Sequence, residues 1–159
     1  AEDIDSREEQ LGVLETLLVN RKIQGDVFIA GRPIKKGWMS SRFGLRNDPI
    51  TGKRAWHNGI DFAGNEGDPV VTVAAGVVVY SGLRIGYGQM VELNHGGGYA
   101  TRYGHHKKLN VQVGDIVKKG QVVGLMGSSG RATGPHVHFE VFKNGRVVDP
   151  SSYIHRASR

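Results

Sequence analysis

Val70-Val71-Thr72-Val73-Ala74-Ala75-Gly76-Val77-Val78-Val79-Tyr80 is the stretch from which the architecture is read. Its two β-branched runs, Val70 to Val73 and Val77 to Tyr80, are too short for helices and carry side chains that suit a pleated surface. The same texture continues downstream. Gln89 to Leu93, Tyr99 to Tyr103, Val111 to Val113, Gln121 to Met126 and His136 to Phe142 are predicted strands, with glycine-rich turn signals between them. Strands recurring every ten residues or so predict a mainly β fold, an antiparallel β-sheet sandwich or partly open barrel with a groove. The 24 glycines among 159 residues show no three-residue period, which excludes collagen and assigns them to tight turns.

Upstream the pattern changes. Ser6 and Glu9 have capping-box spacing, Leu11, Leu14, Leu17 and Leu18 form a stripe at helical period, and Gly25 can end the element, so residues 6–24 are predicted as a helix. The expected organisation is an N-terminal helix and connector over 1–36, one β domain over 37–154 and a basic tail over 155–159. A chain of this length buries a real core. No apolar run reaches the ~18 residues that a membrane helix needs. Any targeting or anchoring element, and with it a membrane anchor or envelope partner, is expected outside these residues.

The formal charge of +6 favours polyanionic neighbours. Lys35-Lys36, Lys107-Lys108 and Lys118-Lys119 are scattered pairs at turns without a recognition motif, so no nucleic acid is expected as partner. The absence of cysteine removes disulfides and thiolate metal sites.

Chemistry concentrates in two phrases, His57-Asn58-Gly59-Ile60-Asp61 and His136-Val137-His138. Residues i and i+2 of a strand face one side, roughly 6.6 Å apart, so His136 and His138 can look into a single site. Asn58-Gly59 argues against helix, which makes His57 to Asp61 a strand or widened turn that keeps both side chains on one face. Two or three imidazoles with one carboxylate are the ligand set of a catalytic zinc ion with an open position, and either histidine of the His-x-His pair can be the ligand. With one carboxylate and neutral imidazoles such a site stays positive, and a bound water with its pKa lowered toward ~7 becomes the nucleophile.

His105 and His106 follow a predicted strand, and either could reach the same pocket as general acid or electrophile. His95, at a glycine hairpin, reads as structural, and His155 as a solvated tail residue. Ser128-Ser129-Gly130-Arg131 reads as a turn, and the glycines around it lack the lysine–threonine ending of a phosphate loop.

From about Gly37 to Tyr153 the chain resembles the lysostaphin-like (LytM-type) zinc endopeptidases that cut peptidoglycan. The resemblance rests on Ser41-Arg42-Phe43-Gly44, His57-xxx-Asp61, Ala75-Gly76-Val77-Val78, Tyr103-Gly104-His105 and Gly134-Pro135-His136-Val137-His138-Phe139, in that order. It implies His57, Asp61 and His138 as ligands of one zinc ion per chain, and His105 and His136 as catalytic. The family's usual residue after the histidine of the Tyr-x-His phrase is apolar, whereas here it is His106. Asp48-Pro49 and Thr51-Gly52-Lys53 resemble Gram-negative envelope members. That implies a periplasmic enzyme, expected as a monomer, acting on the D-amino-acid cross-links of peptidoglycan stem peptides. Two rivals are a catalytically inactive cell-wall-binding activator of a peptidoglycan amidase and a biotinyl- or lipoyl-type carrier suggested by Val113 to Gly124. The first should lack ligands, and no modification motif surrounds a hairpin lysine for the second.

Overall fold

The structure, a computed structural model, describes residues 27–47, 51–128 and 134–156. The expected helix over 6–24, the Asp48-Pro49 pair and most of the turn around Ser129 lie outside the described residues.

Twelve strands and one short helix make up the described chain: β1 Trp38–Ser41, β2 Gly44–Asn47, β3 Arg54–His57, β4 Ile60–Ala63, β5 Pro69–Val71, β6 Gly76–Arg84, β7 Gly88–Gly96, β8 Tyr99–Leu109, β9 Ile116–Val117, β10 Val122–Met126, β11 His136–Lys143, β12 Arg146–Val148 and α1 Ser151–Ile154. Ten strands form one sheet with the path β1-β4-β11-β8-β7-β6-β9, while β10 bridges β8 to β5 and β12 flanks β11. β2 and β3 form a separate hairpin. All recorded pairings are antiparallel. The mainly β, open antiparallel architecture predicted from the sequence is the one observed.

Alternation explains the core. Along β7, Met90, Val91, Leu93 and His95 are buried, and along β11 Val137, Phe139 and Val141 turn inward, alternating with His136, His138 and Glu140. Ile29 and Ile34 join this core from the segment before β1, where the Val71 N–H donates to the Pro33 carbonyl and Ile34 bridges Val70.

One predicted strand does not form. Val111 to Val113 leads into a turn, and pairing resumes only at Ile116–Val117. The Asp115 N–H donates to the Gln112 carbonyl, the Gln112 N–H to the Asp115 carboxylate, and Gly114 has a φ of 96°. Turn chemistry overrides the local Val-Gln-Val alternation. The sequence pattern also passed over β1 to β3. They are short, largely exposed strands on the rim and carry little buried apolar alternation.

Candidate metal centre

β4 and β11 are neighbours, and their register sets Asp61 directly opposite His138. β3 delivers His57 at its last residue, and Asn58-Gly59 turns the chain straight into β4. Gly59 is required there. A Cβ at this position would collide with the Phe139 carbonyl and come within 3.0 Å of His138 Cε1. The close approach of this turn to β11 is what brings the two phrases together.

Three donor atoms meet: His57 Nε2 to Asp61 Oδ1 is 3.3 Å, His138 Nδ1 to Asp61 Oδ1 is 2.8 Å, and His57 Nε2 to His138 Nδ1 is 3.2 Å. Ligand atoms about 2.0–2.2 Å from a tetrahedral zinc lie about 3.3–3.5 Å from one another. The triangle fits such an ion, with only the His138–Asp61 edge clearly shorter. Each imidazole is oriented from behind. The His57 Nδ1–H donates to the Arg42 carbonyl at 2.8 Å, and the His138 Nε2–H donates to Glu140 Oε2 at 2.8 Å. These bonds leave Nε2 of His57 and Nδ1 of His138 as the metal-facing atoms.

The electrostatics favour a cation. Burial alone would raise the Asp61 carboxyl, but hydrogen bonds from His138 and His57 outweigh it and hold the group well below the usual carboxylate range. Burial opposes charge on His138, yet Asp61 and Glu140 on either side push it up to about 9. Carboxylates that favour a proton on His138 also favour a metal ion between these groups.

His136, on the same face of β11, donates its Nδ1–H to the Gly134 carbonyl at 2.9 Å and holds Nε2 4.0 Å from Asp61 Oδ2. His105 packs against it, with ring centroids 4.6 Å apart. Its φ of 66° is a left-handed conformation that costs a non-glycine residue on the order of 1–3 kcal/mol. The strain sits at register shifts of β8 against both β7 and β10. Such an irregularity re-aims a side chain. It turns His105 into the cleft, while His106 is fully buried and its Nδ1–H donates to the Gln89 carbonyl at 3.0 Å. Of these two histidines, His105 is the one that lines the cleft.

An open cleft of ≈ 320 Å³ covers the group, lined by Trp56, Asn58, Gly86 and Tyr87 together with the histidines. His95 lies elsewhere, buried, with Nδ1–H donating to the Ala75 carbonyl at 2.7 Å, as its structural reading requires. His155 is exposed. Glu140 and Tyr87 were missed by sequence reasoning. The alternation His136-x-His138-x-Glu140 could have revealed the first, whereas nothing local marks Tyr87.

Residues 55–150 match the model of Peptidase family M23. The chain belongs to that family. Among M23 relatives, the peptidoglycan DD-endopeptidase ShyA of Vibrio cholerae is 44% identical over 119 residues, which is 74% of this chain and 28% of ShyA. A zinc-containing peptidase from Vibrio cholerae superposes with a TM-score of 0.68 at 36% identity, covering 82% of this chain and 40% of that one. The catalytic domain of lysostaphin from Staphylococcus simulans gives 0.68 at 34% identity over 76% of this chain and 93% of the domain. The chain spans only 26% to 34% of several curated relatives, so the shared part is the M23 domain.

Proposed function

We propose that this M23 domain is a zinc-dependent endopeptidase that hydrolyses peptide cross-links of peptidoglycan, acting as a D,D-endopeptidase in the Gram-negative periplasm. The observation that carries the reading is the triangle of His57 Nε2, Asp61 Oδ1 and His138 Nδ1, all within 4.8 Å of one another. The substrate class is taken from relatives such as ShyA.

A zinc ion held by these three residues supplies Lewis acidity toward a peptide carbonyl and toward water. The remaining work falls to the protein. With its Nδ1 committed to the Gly134 carbonyl, His136 presents Nε2 at the cleft. That atom takes a proton from the attacking water and returns it to the leaving amine. His105, its ring 4.6 Å from that of His136 and 6.2 Å from that of His138, offers a donor to the developing oxyanion. Trp56 and Tyr87, which line the cleft, offer aromatic surface to an extended stem peptide.

The domain bounds in this reading are 37–154, braced by the segment carrying Ile29 and Ile34. A single chain with one zinc ion suffices, because all three ligands come from it. The inactive-activator reading is not favoured, since such a protein has no need of a complete donor set. Zinc-loaded protein incubated with purified sacculi should convert cross-linked muropeptide dimers into monomers cut at the D-alanyl cross-link, read out by fragment mass. Release of intact stem peptides from the glycan would instead indicate amidase chemistry and contradict the proposal.

A further inference from the structure

Alternation along β11 places Glu140 on the same face as His138, and its side chain is buried. A carboxylate in such a place must be compensated. Both oxygens are taken: Oε2 accepts the His138 Nε2–H and Oε1 accepts the Tyr87 hydroxyl, each at 2.8 Å. The positive charge comes from β8. Arg102 stands opposite Glu140 in the β8–β11 register and opposite Glu92 in the β7–β8 register. Its Nε donates to Glu92 at 2.7 Å and its Nη1 to the Tyr87 oxygen at 3.1 Å, and Nη1 lies 3.9 Å from Glu140. Glu92, Arg102 and Glu140 therefore form a row of alternating charge across three adjacent strands, with His138 hydrogen-bonded at its end.

Tyr87 locks this row at its metal end. Without the hydroxyl, Glu140 Oε1 would lose its close donor, and the carboxylate could rotate away from the imidazole. The same residue has a second hold on the centre. Its carbonyl accepts the His105 N–H at 2.7 Å, at the residue with the left-handed backbone.

We propose that Tyr87 is a positioning residue of the metal centre. Through Glu140 its hydroxyl fixes the His138 ring with Nδ1 toward the ion, and through its carbonyl it fixes the backbone of His105. The inference rests on the metal-site reading above. Hydrogen bonds behind a ligating histidine set its tautomer and ring orientation, and losing one typically costs 10- to 100-fold in metal affinity.

The test is zinc competition against a chromophoric chelator, using wild type, Tyr87→Phe, Glu140→Gln and the double variant, with unfolding midpoints of the metal-free chains measured alongside. Tyr87→Phe keeps the carbonyl and removes only the hydroxyl. Its zinc Kd should rise about tenfold, and that of Glu140→Gln about ten- to a hundredfold. The double variant should bind no more weakly than Glu140→Gln alone, because the hydroxyl acts through the carboxylate. Metal-free midpoints should stay close to wild type. Zinc affinity equal to wild type in Tyr87→Phe would overturn the inference. So would additive losses in the double variant, or losses that merely follow a destabilised metal-free fold. A wild type that binds no zinc would contradict the metal-site reading itself, an outcome separate from equal binding by all four proteins.

Discussion

Two histidine environments sit in one β-sheet and behave in opposite ways. In the cleft, His138 lies between Asp61 and Glu140 and is pushed up to about 9. Inside the core, burial drives His95 and His106 down to about 4, with only backbone carbonyls as counterweight. His95 spends its ring nitrogens on the Ala75 carbonyl and on the Thr101 hydroxyl at 2.7 Å, which in turn meets Tyr103 at 2.9 Å. The imidazoles are chemically the same, but His138 lines an open cleft whereas His95 and His106 lie in the core. Carboxylates make the difference: a pocket that supplies them is a place for a cation, and one that supplies carbonyls and hydroxyls holds a neutral ring.

The contrast breaks first at the ligands. His138→Ala should lose zinc and all measurable turnover, because two protein ligands hold the metal poorly. His136→Ala and His105→Ala should keep zinc and lose roughly 10²- to 10⁴-fold in turnover, the usual size of a general acid–base contribution. Metal content and turnover on the same preparations separate these outcomes. Retained zinc in His138→Ala with loss in His136→Ala would exchange their roles.

The core pair should be visible as acid sensitivity. His95 and His106 are neutral in the folded chain, with pKa values near 4 against an ordinary 6.5 when unfolded. Because the folded-state values are depressed, the unfolded chain binds more protons between these limits. Stability is then full above about pH 6.5 and falls as pH drops toward about 4, by up to about 1.4 kcal/mol per pH unit for each histidine. Urea midpoints across that range, measured on His95→Gln beside wild type, should show a shallower acid slope in the variant. The smallest effect is expected of His106→Ala: turnover per folded molecule within a few-fold of wild type, and a stability loss of about 1–3 kcal/mol.

Much of this was legible from residue order. Runs such as Val77 to Tyr80 and Gln89 to Leu93 became β6 and β7 because short β-branched and apolar runs suit the buried centre of a sheet. His57-xxx-Asp61 and His136-x-His138 converge because the β4–β11 register sets Asp61 against His138. What was not legible depends on pairings between distant strands. The Glu92–Arg102–Glu140 row exists only once three strands are in register, and Tyr87 reaches Glu140 across 53 residues. The choice between His105 and His106 turns on one left-handed residue at an irregularity in β8, which propensity does not reveal. Val111 to Val113 misled for the converse reason, since its alternation is real but the Gln112–Asp115 turn is stronger.

The central claim is that His57, Asp61 and His138 together hold one catalytic zinc ion. Elemental analysis of protein purified without chelator, read beside sacculus cleavage before and after chelation, tests it most directly. The account predicts one zinc per chain, loss of cleavage as zinc is removed, and recovery when it is restored. Full cleavage by protein that carries almost no metal would contradict it.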